Sequence, residues 1–72
     1  MSTTSEETFR ATLQGCTPES DSATLIVTRR GLGRSGRVWL TFNGSIRATL
    51  VMTDQQAVRL LDLLAAAAQR DR

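Results

Sequence analysis

The chain has 72 residues, of which 40% are hydrophobic and 22% charged, and its formal net charge is +2. This length allows one domain with a thin core, since a chain of this size buries only about 60% of its surface on folding. With no histidine, one cysteine and scattered acids, the composition excludes the common catalytic constellations and a disulfide framework, and we expect a non-enzymatic protein without metal or cofactor.

The N-terminal segment, residues 1–7, is polar and acidic and is predicted to be a disordered tail before one domain over 8–70. It lacks a basic start followed by an apolar run, so no signal peptide is expected. The longest apolar stretch, Leu63 to Ala68, is far below the roughly 20 residues of a bilayer span. The lone Cys16 fits a reducing compartment. These features predict a cytoplasmic protein with no membrane partner.

Two strands are predicted in the first half of the chain. Residues 8–14 alternate apolar and polar side chains, which is typical of a half-buried strand. Residues 23–30 are rich in β-branched side chains and indicate a second strand. The residues between them contain Gly, Pro, Ser and Asp, which favour a loop over 15–22.

A glycine-rich segment, Gly31 to Gly36, matches the G-x-G-x-x-G pattern of dinucleotide-binding loops. That function needs a helix after the third glycine, whereas the residues after Gly36 indicate a strand. Two interpretations remain open. The loop amides, flanked by arginines, could hold a phosphate, or the glycines serve only the backbone angles of a mobile hairpin loop.

Two further strands, 37–41 and 45–52, are predicted to form a hairpin around Phe42-Asn43-Gly44. A three-residue loop, with Gly44 in the left-handed region, pairs Thr41 with Ser45 and places the apolar side chains of both strands on one face. A two-residue turn would shift the register by one and place them on opposite faces. In the chosen register Trp39 lies opposite Arg47, within reach of a cation–π contact.

The start of a helix is indicated by Thr53-Asp54-Gln55-Gln56, which fits a capping box, and the helix is predicted to reach about Arg70. Seven residues form an apolar helix stripe about 160° wide that would pack on the sheet: Ala57, Val58, Leu60, Leu61, Leu64, Ala65 and Ala68. Leu63 and Ala67 widen the apolar arc to roughly 220°, more than one sheet face covers. We therefore expect a homodimer with Leu60, Leu63 and Ala67 at its interface, the alternative being an exposed leucine.

These elements predict an α+β fold with a four-stranded, or at least three-stranded, antiparallel sheet packed on one C-terminal helix (ββββα). All basic residues are arginine, and the segment 23–51 carries five of them and no acid. Positive potential is therefore concentrated in the middle of the chain. The candidate partner-binding residues are Arg29, Arg30, Arg34, Arg37, Trp39 and Arg47.

A basic face with an aromatic side chain is typical of proteins that bind single-stranded nucleic acid. We predict a small nucleic-acid-binding accessory or regulatory module. The alternative is a protein-interaction or inhibitor module, of the size that phages, plasmids and operons encode. Its arginine-rich face would then contact an acidic protein surface, or its helix would contact a partner helix. A structural role for Trp39, packed on an arginine stem or a neighbouring subunit, also remains open.

Overall fold

The computed structural model describes residues 7–70 and contains four strands followed by one helix. The elements are β1 (Glu7–Cys16), β2 (Ser22–Arg30), β3 (Arg37–Gly44), β4 (Ala48–Met52) and α1 (Asp54–Ala68), with one 3-10 turn at Gly33–Ser35. The sheet order is β1-β2-β3-β4, and neighbouring strands are antiparallel. The predicted ββββα architecture is confirmed. Residues 1–6 of the predicted tail lie outside the described residues, and Glu7 begins β1.

The two sides of the sheet differ in chemistry because successive side chains of a strand point to opposite faces. The ladders join residues across all four strands, as in the row Ala11, Val27, Leu40 and Leu50. The apolar sheet face consists of Phe9, Ala11, Leu13, Leu25, Val27, Val38, Leu40, Phe42, Ala48, Leu50 and Met52. The polar sheet face consists of Arg10, Thr12, Gln14, Thr24, Ile26, Thr28, Arg30, Arg37, Trp39, Thr41, Asn43, Thr49 and Val51.

The connection between β3 and β4 is longer than predicted. Phe42 pairs with Ala48, so residues 43–47 lie outside the β3–β4 ladder, and the predicted pairing of Thr41 with Ser45 is wrong. The observed β3–β4 register differs from the predicted one by an even number of residues, so the apolar positions of both strands still share one face. Gly44 has the predicted positive φ, 110°, and a Cβ there would lie 3.1 Å from the Ser22 carbonyl oxygen.

The helix begins as predicted. Thr53 is its N-cap: the Thr53 hydroxyl accepts from the Gln56 N–H at 3.2 Å, and the Gln56 side chain accepts from the Thr53 N–H at 2.9 Å. This capping box satisfies two backbone donors that a free helix end leaves without partners. Within residues 7–70, no helix is long and apolar enough to cross a membrane.

The backbone of the helix approaches the sheet only at β3 and β4, and a side-chain ion pair between Arg29 and Asp54 connects the helix start to β2. Ala57 and Leu60 are half-buried there, whereas the rest of α1, all of it described, is exposed. The buried apolar side chains among the described residues are Leu40 and Met52, on the part of the apolar sheet face that α1 approaches. The radius of gyration is 14.2 Å, against about 11 Å for a compact chain of this length. The expectation that the whole helix stripe packs on the sheet of its own chain is therefore wrong.

Candidate nucleic-acid interface

The centre of the polar sheet face is a stack of an arginine on the sole tryptophan. The Arg30 guanidinium carbon lies 4.5 Å from the centroid of the Trp39 ring, within cation–π distance. Arg30 pairs with Arg37 in the β2–β3 ladder, and Trp39 pairs with Thr28. Arg30 and Trp39 are thus diagonal neighbours on one face, which is within reach of long side chains. The guanidinium that packs on the Trp39 indole is therefore that of Arg30.

Arg47, the predicted partner of Trp39, lies outside the β3–β4 ladder. It belongs to the connection between β3 and β4, and Val51 takes the ladder position opposite Trp39. The predicted Trp39–Arg47 contact is wrong because the loop is longer than three residues. Predicting the diagonal contact between Arg30 and Trp39 requires the β2–β3 register, and the hydrophobic pattern of the two strands does not specify that register.

The central row of the face runs from Arg10 through Thr28 and Trp39 to Val51. Thr28 is only 4% exposed, because the larger side chains beside it cover it. Arg10 adds a cation that the sequence-based site did not include, although the alternation of β1 could have placed it there. Its Nη1 lies 3.3 Å from a carboxylate oxygen of Glu7, in an exposed ion pair. Such exposed pairs contribute little and exchange readily with other anions.

Arg37 binds the glycine-rich loop of its own chain. Its Nη1 donates to the carbonyl oxygens of Arg34 at 2.9 Å and Gly36 at 2.8 Å. The Ser35 hydroxyl donates to the Leu32 carbonyl at 2.9 Å, which closes the 3-10 turn. The loop therefore directs carbonyl oxygens at a cation, an arrangement opposite to the amide cradle that a phosphate needs. Gly31 and Gly33 have positive φ, in accord with the backbone role of these glycines.

Arg29 lies on the apolar sheet face, opposite to Arg30, where it binds the helix start. It forms a two-pronged ion pair with Asp54, in which Nη1 donates to Oδ1 and Nη2 donates to Oδ2 at 3.2 Å. The hydrogen bond from Arg29 holds the pKa of Asp54 below its ordinary value, and the same bond raises the pKa of Arg29. Gly36 passes close by, since a Cβ there would lie 2.6 Å from Arg29 Nη2. Arg29 is thus separated from the other candidate residues.

The remaining candidate residues are distributed as follows. Arg34 is exposed in the loop beside Arg37, at the end of the polar sheet face. On the helix, Leu60 is half-buried, while Leu63 and Ala67 are exposed. The structure therefore brings together Arg30, Arg37 and Trp39, with Arg34 adjacent and Arg10 added. It places Arg29 on the apolar sheet face and Arg47 in the β3–β4 connection.

The polar sheet face is an open, positively charged surface. Among residues 7–70, no group of three or more His, Cys, Asp or Glu side chains is placed to hold a metal ion. The polar sheet face instead combines three arginines, one indole and several threonines on a surface that α1 does not cover. Comparison with protein-family models, with curated proteins and with solved structures yields no match.

Proposed function

We propose that this chain is a small, non-enzymatic, cytoplasmic regulatory protein that binds single-stranded nucleic acid on its polar sheet face. The observation that supports it is the Arg30 guanidinium stacked 4.5 Å over Trp39, with Arg10 and Arg37 on the same face. Unpaired bases stack on aromatic rings and on guanidinium planes. Phosphates pair with arginine through parallel hydrogen bonds.

The spacing of these cations fits a strand crossing the sheet. Arg10, Arg30 and Arg37 belong to β1, β2 and β3, and neighbouring strands lie about 4.8 Å apart. The three cations therefore span roughly 10 Å across the sheet, enough to contact successive phosphates while a base lies on the Arg30–Trp39 stack. Threonine hydroxyls on the face can donate to or accept from base edges.

A homodimer is part of this proposal. Two copies related by a twofold axis would present two such faces, and a strand bound at one face would raise the effective concentration at the other. Leu60, Leu63 and Ala67 remain the predicted helix contribution to the interface.

The test is binding of a fluorescein-labelled mixed-sequence DNA oligonucleotide, followed by anisotropy over a series of salt concentrations. With three phosphate contacts per face, the logarithm of the association constant should fall with the logarithm of salt with a slope of about −2, given about 0.7 per phosphate for single strands. Arg10→Ala should lower the slope by about 0.7. Arg30→Ala should lower it too and also weaken binding at every salt concentration, because it removes the stacked guanidinium.

The matched control is Arg59→Ala, which removes one positive charge from the helix surface and leaves the polar sheet face intact. It should bind with nearly the affinity and slope of the unmodified protein. Absence of binding at low salt, or an equal loss in Arg59→Ala and Arg30→Ala, would contradict the proposal. In that case, salt-sensitive capture of an acidic protein would favour the alternative of a protein-interaction module.

A further inference from the structure

Two apolar surfaces of this chain are left open to solvent. On the apolar sheet face, Phe9, Leu13 and Leu50 are 55%, 64% and 55% exposed. On the helix stripe, Leu61 is 63% exposed and Leu64 58%. Scattered exposed leucines are ordinary, but contiguous apolar patches of this kind mark interaction sites.

The helix cannot cover the sheet of its own chain because its direction is set at its first residue. β4 ends at Met52 and α1 begins at Asp54, so Thr53 is the whole connection. Strand-to-helix connections that fold a helix back on a sheet usually take 2 to 6 residues. The Thr53–Gln56 capping box and the Arg29–Asp54 ion pair hold this short connection in place. The first two turns of α1 lie against β3 and β4, and the later turns extend beyond them.

The two open surfaces do not face each other within one chain. By backbone distance, α1 contacts β3 and β4 and neither β1 nor β2. The outermost strand β1 carries Phe9 and Leu13 on the apolar sheet face, and both are more than half exposed. In the described part of the chain, the apolar side of β1 and the later turns of α1 are therefore both without a partner.

We propose that a second copy of this chain covers the apolar sheet face, the later turns of each helix lying on β1 and β2 of the other subunit. This inference deepens the dimer part of the proposed function and does not depend on nucleic-acid binding. The arrangement is reciprocal, so one twofold axis covers both sheets and both helix stripes. The polar sheet faces stay on the outside of the dimer.

The two surfaces fit each other in chemistry and in size. The helix stripe carries no charge, and the one charged residue that the register places on the apolar side, Arg29, is already paired with Asp54. The 15 residues of α1 span about 22 Å and the nine-residue strand β2 spans about 30 Å, so the helix fits within the length of the strand that it would cover. An open depression of about 140 Å³ lined by Leu13, Leu25 and Phe42 could receive an apolar side chain. One chain supplies both halves of the contact, which is why the partner is a second copy.

The first measurement is the mass in solution by light scattering at tens of micromolar, where twice 7.9 kDa is expected. The variant Leu13→Asp places a charge on the β1 part of the apolar sheet face, and Leu61→Asp places one on the helix stripe. Each should raise the dimer dissociation constant by at least about 100-fold, because the change occurs twice per dimer. The matched control, Thr12→Asp, carries the same charge on the neighbouring residue of the polar sheet face and should remain a dimer.

A second measurement needs no variant. In a mixed sample of isotope-labelled and unlabelled chains, filtered nuclear Overhauser spectra should show contacts between Leu13 or Leu25 methyl groups of one subunit and Leu61 or Leu64 methyl groups of the other. Contacts only between helices would overturn the proposal. So would a dimer that is lost in Leu63→Asp but kept in both Leu13→Asp and Leu61→Asp, because the interface would then be one between helices. A monomeric mass would overturn it as well, while the anisotropy assay would judge nucleic-acid binding separately.

Discussion

Neighbouring arginines in β2 have opposite roles. Arg29 binds Asp54 at the start of the helix, and Arg30 stacks on Trp39 on the other side of the sheet. The reason is the two-residue period of a strand, which sends successive side chains to opposite faces. The charge count of the segment 23–51 identified a basic region but grouped both arginines together. The alternation alone would have separated them, since Arg29 follows the apolar positions Leu25 and Val27.

The Arg29–Asp54 pair predicts a pH dependence of stability. The pKa of Asp54 is lower in the folded protein than in the unfolded chain, mainly through the hydrogen bond from Arg29. The ionised Asp54 carboxylate therefore adds to the stability of the fold above the pKa of the unfolded chain, about 3.9, and this stability is lost as pH falls through the folded pKa. Asp54→Asn should lower the thermal midpoint at about pH 7, and the difference should shrink towards about pH 3.

The control for this prediction is Asp62→Asn, which removes the same charge from the middle of the same helix. Within residues 7–70, Asp62 forms no ion pair, so this variant should change the thermal midpoint less at neutral pH. Circular dichroism at several pH values measures both. If the thermal midpoints of Asp54→Asn and the unmodified protein differ by the same amount at every pH, the ion pair does not stabilise the fold.

At the scale of elements, local signals in the sequence were accurate where one short segment decides the structure. The capping box at Thr53 set the first residue of α1, and Gly44 has the predicted positive φ. The predicted end of the third strand at Thr41 is wrong, because β3 continues to Gly44. The length of the connection after Gly44 was not predictable in this way. A three-residue and a five-residue connection put the same side chains on the apolar face, so the hydrophobic pattern does not distinguish them.

The helix start gives a prediction at this scale. An isolated helix of about 15 residues is marginal in water, and α1 packs on its own sheet only through its first turns. Its cap should therefore matter: Thr53→Ala should lower the free energy of unfolding by about 1 kcal/mol, measured by urea denaturation. Thr53→Ser keeps the hydroxyl acceptor and should retain most of that stability. Equal losses in the two variants would show that the threonine methyl group, rather than the cap, stabilises this region.

At the scale of the whole molecule, the described chain is a thin sheet with a helix attached at one corner. Its extents of 46 × 26 × 15 Å are those of an elongated particle. A chain this small has little apolar surface to bury, and here much of that surface remains exposed. The proposed association with a second copy would bury it and would leave the polar sheet face exposed.

Association predicts that thermal stability depends on protein concentration. For a dimer that unfolds to two monomers, each tenfold rise in concentration adds about 1.4 kcal/mol. With an unfolding entropy of about 2.1 cal/mol/K per residue over two chains, the thermal midpoint should rise by about 5 °C for each tenfold rise in concentration. Scanning calorimetry at three concentrations measures this. A midpoint that does not change with concentration would indicate a monomeric folding unit.

The sequence by itself determined the features that depend on neighbours along the chain: the alternation of the strands, the two faces of the sheet and the capped start of the helix. The tertiary structure decided which arginine contacts Trp39, how long the β3–β4 connection is and how much of the sheet the helix covers. Strand register joins residues that are distant in the chain, and a one-residue connection restricts where a helix can point. Neither constraint appears in the hydrophobic pattern of any single segment.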